Sequence, residues 1–410
     1  MGLFRAWGRA PTLVFTVLLL SIFGVAMIYS AGVLNVPSPV TQNIWQRQLV
    51  WLVLGVVAFT TISFIPPRWL EWAALPAYIA GILLLVATLI IGTGAGTAAG
   101  VKSFISIGGF RFQPAEVAKI ATILAMARFF SMRREPVQNL RELIAPLALV
   151  CLPLGLVILQ PDLGTSLAFI GILFAMLYWG GTPIPLLILL ASPGLALILS
   201  YDTMIWGGYI IALTLSLFFY RYRLYLVESV AVVLANLAAG TVALPLWRSL
   251  ADYQKNRLLV YLDPNVDPRG AGWQIIQSKV AIGSGGLLGK GFTQGTQKRL
   301  DFLPEQHTDF IFSVVGEELG FVGTLLVVVA FSVVFLQLVK LAAKATDPFA
   351  GLVIFGIFGA WITHVFVNIG MTVGLVPITG IPLPFVSYGG SFLLMSWVAL
   401  ALAVQASQET

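Results

Sequence analysis

Long apolar runs, most of them free of charge, recur along this chain near residues 11–31, 48–66, 72–92, 114–130, 142–159, 163–180, 183–200, 204–220, 224–247, 309–339, 349–370 and 390–406. Crossing ~30 Å of hydrocarbon takes about 20 helical residues, which is the length of most of these runs. Backbone groups in lipid must be satisfied internally, so only helices or closed barrels can span. The strict alternation of a barrel strand is absent. The pattern predicts an all-α polytopic membrane protein of about twelve transmembrane helices, a single integral membrane domain over 1–410. Composition agrees, with 59% hydrophobic and 10% charged residues, against ~25% charged in soluble domains.

The net charge of +6 does not point to nucleic acid, because the basic residues sit in short turns between runs. Arg68, the group Arg128, Arg133, Arg134 and Arg141, the pair Arg221 and Arg223, and Lys340 and Lys344 all fall in even-numbered turns. The positive-inside rule makes those turns and both termini cytoplasmic. The first run follows Arg5 and Arg9 and is longer than a signal-peptide core, so it reads as an uncleaved first helix. The single cysteine, Cys151, excludes a disulfide within the chain and a cysteine metal site. His307 and His364 lie far apart, which argues against a histidine cluster.

Three long loops then face outward, 93–113, 248–308 and 371–389. The second concentrates much of the chain's charge, and it reads as an interfacial segment with Lys255, Arg257, Lys279 and Lys290 near headgroups. Its "GSGGLLGKG" lacks the spacing of a phosphate loop. The third contains "GIPLPFVSYGGS", whose prolines and glycines forbid a continuous helix. Irregular backbone at membrane depth must be buried or line a cavity, which makes Ser387 and Tyr388 candidate lining residues.

Acidic groups at the outer ends of the runs are the candidates for chemistry. Asp309 stands where the large loop enters a helix, as either a cap or a general base. Glu317 and Glu318 follow inside the same run, with Glu317 expected roughly 12 Å deeper along a continuous helix. Either a buried arginine or backbone groups of a neighbouring helix would explain them, or a functional site. Glu116 and Lys119 share a helix face, as an ion pair or as part of a site with Lys102 and Arg111 that offers cations to a phosphate. Asp162 reads first as the cap of the helix that follows it.

The stretches "FRFQPAEVAK", "QPDLGTS", "LDPNVDPRGAGWQIIQSKVAIGSGGLLGKGFTQGTQKRLDFLPEQHTDFIFSVVGEELG" and "GIPLPFVSYGGS" resemble the SEDS family (shape, elongation, division and sporulation) over nearly the whole chain. "GKGFTQGTQ" followed by "LDFLPEQHTDFIF" is similar to its RodA branch. The resemblance implies a peptidoglycan glycosyltransferase, an inverting hexosyltransferase of the bacterial cytoplasmic (inner) membrane. Such an enzyme polymerises lipid II on the outer face beside a class B penicillin-binding protein. It also implies Asp309 as the base for the acceptor hydroxyl, functional positions at Arg111, Gln113, Glu116 and Lys119, and help from a divalent cation (Mg or Mn) of unknown ligands. Arg111 and Lys119, with Arg47 and Lys102 as additions, are the expected diphosphate contacts. Ala115 and Trp273 stand where the family usually has serine and tyrosine. The family usually has about ten helices, so 183–247, with room for three, is expected to hold an extra pair. Rival readings are a flippase for the lipid-linked precursor, which Glu317 and Glu318 keep open, and a scaffold for other wall enzymes.

Overall fold

The computed structural model describes residues 10–35, 43–94, 102–108, 110–220, 226–268, 270–300, 302–303 and 305–407. The N-terminal arginines and the Arg221–Arg223 turn lie outside these residues. Nine long helices come first, α1 (Pro11–Ala31), α2 (Ile44–Ile62), α3 (Arg68–Ile91), α4 (Pro114–Ser131), α5 (Ile144–Leu159), α6 (Leu163–Trp179), α7 (Ile184–Leu199), α8 (Thr203–Tyr220) and α9 (Leu226–Ser249). Three short ones follow, α10 (Asp252–Leu262), α11 (Ala271–Ser284) and α12 (Thr296–Arg299). The long α13 (Ile311–Lys344), α14 (Pro348–Val373) and α15 (Gly390–Ala406) complete the fold. The twelve long helices coincide with the twelve apolar runs. Seven described helices are long and apolar enough to cross a bilayer by length and composition, and four more are apolar but shorter.

Several boundaries and loops differ from the sequence expectation. Helices α2 and α3 each begin four residues early, because polar first turns (Gln46, Arg47, Gln48) or a Pro66–Pro67 start extend them beyond the apolar run. The 93–113 segment contains an antiparallel hairpin, β1 (Ile105–Ile107) with β2 (Phe110–Phe112), in the register Ser106 to Arg111. The 248–308 segment is not a plain interfacial loop, since α10, α11 and α12 fold within it. Residues 371–373 belong to α14.

Helix α14 is the central element. In its most apolar window 78% of residues are buried, against 11% for α9. It packs on α4, α6, α13 and α15. By contrast, α8 and α9 pack chiefly on α7 and on each other, at the edge. Their internal glue is polar, with Tyr209 Oη 3.1 Å from Asn236 Oδ1 and Asn236 Nδ2 donating to Ser192 Oγ at 2.8 Å.

The largest departure lies inside α13, which is two helices joined at Gly320 (φ 64°, ψ −160°). Backbone orphaned by the break is taken up by segment 286–291. Phe321 N–H donates to Gly286 O (2.8 Å) and Val322 N–H to Leu287 O (3.1 Å). In return Lys290 N–H donates to Glu317 O (3.0 Å) and Gly291 N–H to Glu318 O (2.9 Å). A broken helix at membrane depth is tolerable only with such replacements. Residues 311–319 are therefore a separate buried segment, and Glu317 does not sit one straight helix deeper than Asp309.

The break also fixes which residue can occupy it. A Cβ at Gly320 would lie 2.7 Å from the Leu287 carbonyl carbon, in a backbone conformation that itself strains an L-residue. Gly320→Ala should cost more than ~2 kcal/mol of stability, read as a lowered Tm in detergent. Gly286→Ala is the control, since its Cβ (φ +56°) meets nothing within 4 Å and only the backbone strain remains.

Candidate active site

The turn before α13 presents Asp309, and it is pinned carbonyl by carbonyl. Glu305 adopts a left-handed φ of 51°. Its carbonyl accepts from Thr308 N–H (3.2 Å), Phe310 N–H (3.3 Å) and Thr308 Oγ1 (3.1 Å). His307 O then accepts from Tyr388 N–H at 2.9 Å. Thr308 O accepts from Ser387 Oγ at 2.6 Å, and Asp309 O from Asn368 Nδ2 at 2.9 Å. Three consecutive carbonyls are thus held from two directions, by the 380–389 loop and by α14.

That loop is itself braced. Asn368 also donates to Ile381 O (2.7 Å), and Leu383 N–H donates to Ser387 Oγ (2.8 Å). On the other side Gln48 donates to Ser387 O (3.1 Å) and accepts from Gly389 N–H (3.2 Å). Ser387, expected to line a cavity and touch substrate, is buried with its hydroxyl committed on both sides. It is a positioning residue for the turn.

The Asp309 side chain caps nothing, because Phe310 is the N-cap of α13 and no side chain bonds there. Its half-buried carboxyl faces the bare side of Gly380 (φ +74°), whose Cβ position lies 3.2 Å from Oδ2 and 3.6 Å from Nη1 of Arg257. Burial, then the negative charge of Glu305, pushes Asp309 from 3.8 up to about 7. Arg257 and the Thr308 hydroxyl oppose that rise, and Asp162 adds to it. A carboxyl poised there can take up and release a proton at neutral pH.

Asp162 caps α6, accepting from Thr165 N–H (3.0 Å) and Thr165 Oγ1 (2.9 Å). It also accepts from Gln113 Nε2 (2.9 Å), which draws Gln113 into the same cluster. Glu116 and Lys119, by contrast, do not reach an open surface. They are 5% exposed and paired at 2.9 Å. Lys119 Nζ lies 2.9 Å from His364 Nε2, beside a water-sized cavity of about 20 Å³. An ammonium can only donate, so Nε2 accepts and Nδ1 carries the proton that bonds Pro382 O at 3.2 Å. The pair therefore braces the 380–389 loop through His364. Arg111, Lys102 and Arg47 are exposed, and the edge contact of Phe110 with Trp51 (5.8 Å) ties the hairpin that carries Arg111 to α2, which carries Arg47.

Glu317 and Glu318 find lysines, not an arginine. Lys290 pairs with Glu317 at 2.8 Å, which corrects its expected place among headgroups. Thr296 Oγ1 (3.1 Å), Gln297 N–H (2.9 Å) and Lys298 N–H (3.5 Å) also donate to that carboxylate. Lys298 pairs with Glu318 at 2.5 Å with both side chains inaccessible, and Ser30 Oγ donates to Glu318. No group of three or more His, Cys, Asp or Glu among the described residues is placed to hold a metal. The described residues thus offer no protein-built metal cage.

Sequence reasoning missed Glu305, Asn368, His364 and Lys298, and placed Arg257 only as a headgroup contact. His364 and Asn368 carried a usable signal, being polar residues four apart on one face of an otherwise apolar helix. The others are brought in by contacts remote in sequence.

The family described as "Cell cycle protein", FtsW/RodA/SpoVE, matches residues 11–217 and 208–410. Peptidoglycan glycosyltransferase MrdB of Escherichia coli is 37% identical over 385 residues, covering 94% of this chain and 90% of its own. Peptidoglycan glycosyltransferase RodA of Treponema pallidum is 34% identical, covering 95% of each chain. Among solved structures, a chain from work described as "Structural coordination of polymerization and crosslinking by a peptidoglycan synthase complex" superposes with TM-score 0.69 at 30% identity, covering 98% of this chain and 97% of that one. The rod shape determining protein RodA of Thermus thermophilus gives TM-score 0.62 at 26% identity, covering 98% and 96%.

The pinned turn makes a direct expectation. Asn368→Ala strips a donor from two carbonyls, the part-buried Asp309 O and the buried Ile381 O. At ~1–3 kcal/mol per unsatisfied group, the variant should lose roughly 2–4 kcal/mol, measured by thermal unfolding in detergent.

Proposed function

This chain belongs to the FtsW/RodA/SpoVE family, and from that premise we propose that it is a peptidoglycan glycosyltransferase that polymerises lipid II, with Asp309 as the base. The carrying observation is a half-buried carboxyl on a turn whose backbone is locked by three separate donors, a setting whose burial pushes that carboxyl up to about 7. Two named glycosyltransferase relatives at 34–37% identity over most of the chain support the reaction class.

The 4-hydroxyl of the acceptor N-acetylglucosamine gives its proton to Asp309 as its oxygen attacks the anomeric carbon of the donor. The new C–O bond forms while the bond to the lipid diphosphate breaks. The electron pair leaves on the diphosphate, and single displacement inverts the anomeric centre. The diphosphate is a good leaving group, so no second carboxyl is needed as acid, unlike a glycosidase. The exposed cations Arg111, Lys102 and Arg47 are the candidates to meet it. Lys119 is reassigned to bracing the loop. We assign the divalent cation to the substrate diphosphate, in keeping with magnesium held mainly by phosphates and water.

The reaction is placed at the outer face of the bacterial cytoplasmic (inner) membrane, during elongation and shape maintenance. A class B penicillin-binding protein is the proposed partner, and the neighbouring structure of a polymerising and crosslinking complex supports it. The flippase reading rested on unexplained intramembrane glutamates, and the lysine partners of Glu317 and Glu318 weigh against it. We keep the extra helix pair within 183–247 as peripheral to the chemistry, which the packing of α8 and α9 at the edge of the bundle supports.

Asp309→Asn should cut polymerisation of lipid II by ~10²–10⁴, the usual cost of losing a general base. The same variant should be no less stable than wild type. The fold favours the protonated carboxyl, so ionisation lowers wild-type stability across the window from 3.8 to about 7. The Tm of Asp309→Asn should exceed wild type most above pH 7, with the gap closing as pH falls toward 4. Retained activity would overturn the base assignment, and lost activity with a collapsed Tm would make Asp309 structural.

A further inference from the structure

The base is flanked by two charges of opposite sign that the mechanism above does not use. Glu305 lies four residues before Asp309 on the same turn, and its left-handed φ of 51° is costly for a glutamate. Such strain persists only where the surroundings enforce it, as at functional sites. Here it aims one carbonyl at Thr308 N–H, Phe310 N–H and Thr308 Oγ1, while the Glu305 carboxylate takes Thr308 Oγ1 at 3.2 Å. Arg257 comes from α10, on the far side of Gly380. Its Nη1 donates to Thr379 O at 3.5 Å, and its guanidinium and Asp309 Oδ2 border the same bare glycine face. A side chain at 380 would stand between them.

We propose that Glu305 and Arg257 are positioning residues for the base, Glu305 building the turn that presents Asp309 and facing it with like charge, Arg257 facing it with opposite charge across Gly380. The proposal rests on Asp309 acting as the base. Among the described residues, the charged groups that bear on Asp309 are Glu305 on its own turn, Arg257 on α10 and Asp162 at the start of α6. Glu305 and Asp162 disfavour its ionised form, and Arg257 favours it. Burial raises the proton affinity of Asp309 most, the Glu305 charge adds to that rise and the Arg257 charge opposes it. The opposed pair keeps proton uptake by Asp309 matched to the pH at which the reaction runs.

The test is the pH profile of kcat/KM for lipid II polymerisation by the purified full-length protein. Wild type should lose activity below about 7, as Asp309 protonates. Glu305→Gln keeps the size and the backbone of the turn but removes the charge, so the acid limb should move down by about 0.5–1 unit, a gain of about 3–10-fold relative to wild type at acidic pH. Glu305→Asp keeps the charge and should leave the limb near wild type. Arg257→Gln should move the limb up by a similar amount, and Glu305→Gln with Arg257→Gln should return it toward wild type. A purely structural role would lower activity at all pH values without moving the limb. A limb unmoved in both single variants overturns the proposal while leaving Asp309 as base, whereas activity retained in Asp309→Asn removes the base itself. A raised KM for lipid II in Arg257→Gln with no shift of the limb would make Arg257 a substrate contact and also overturn the proposal. Should Arg257→Gln fail to fold, the Glu305→Gln and Glu305→Asp pair decides alone.

Discussion

Lys298 and Glu318 meet at 2.5 Å with neither side chain accessible to solvent, and the outer part of the molecule is organised around that contact. Burial pulls the proton affinity of Lys298 down, and the charges of Glu318 and Glu317 oppose the fall. Ser30 completes the site, taking Lys298 Nζ on its carbonyl at 2.5 Å and giving its hydroxyl to Glu318. A buried ion pair is a poor source of net stability, but removing one partner costs ~3–5 kcal/mol because the other is left charged and dry. Its value here is registry. It fixes α12 against α1 and against the buried segment 311–319, while Lys290 and Glu317 tie segment 286–291 to the same buried segment. The break at Gly320 can form because segment 286–291 is held close enough to take over the freed backbone bonds.

From that registry follows the geometry of the site. The turn 305–310 enters 311–319 directly, so fixing the short helix fixes the turn's far end. The near side is held by Asn368 and Ser387. The 380–389 loop that carries Ser387 is anchored in turn by Gln48 on α2 and, through His364, by the Lys119–Glu116 pair on α4. Elements from across the bundle therefore converge on one carboxylate. Such over-determination holds a charged group where burial disfavours its ionised form, which is the condition for a base poised near neutral pH.

The twelve long helices were legible because hydrocarbon thickness imposes a local length rule that most of the runs satisfy by themselves. Asp162 as a helix cap was legible for the same reason, since a cap depends on its next three residues. The break at Gly320 was not, because the apolar run continues across it and only contacts with 286–291 reveal why the helix stops. Charge alone could not tell a lysine near headgroups from one facing a buried glutamate, so Lys290 was misplaced. Glu116 and Lys119 were read correctly as sharing a face, but the burial of that face depends on α14 and α15. Ser387 was legible as part of an irregular segment at membrane depth, whereas the direction of its hydroxyl was not.

The account stands on a carboxyl at position 309 that titrates far above an ordinary aspartate because of where the fold places it. Its protonation can be followed directly in the purified protein by carbon NMR of labelled aspartate carboxyls, with the Asp309 resonance assigned by its loss in Asp309→Asn. A midpoint of about 7 is the predicted result. A midpoint close to the unperturbed 3.8 would contradict the account, because Asp309 would then sit in an open, solvated turn and the locked geometry would have no bearing on its chemistry.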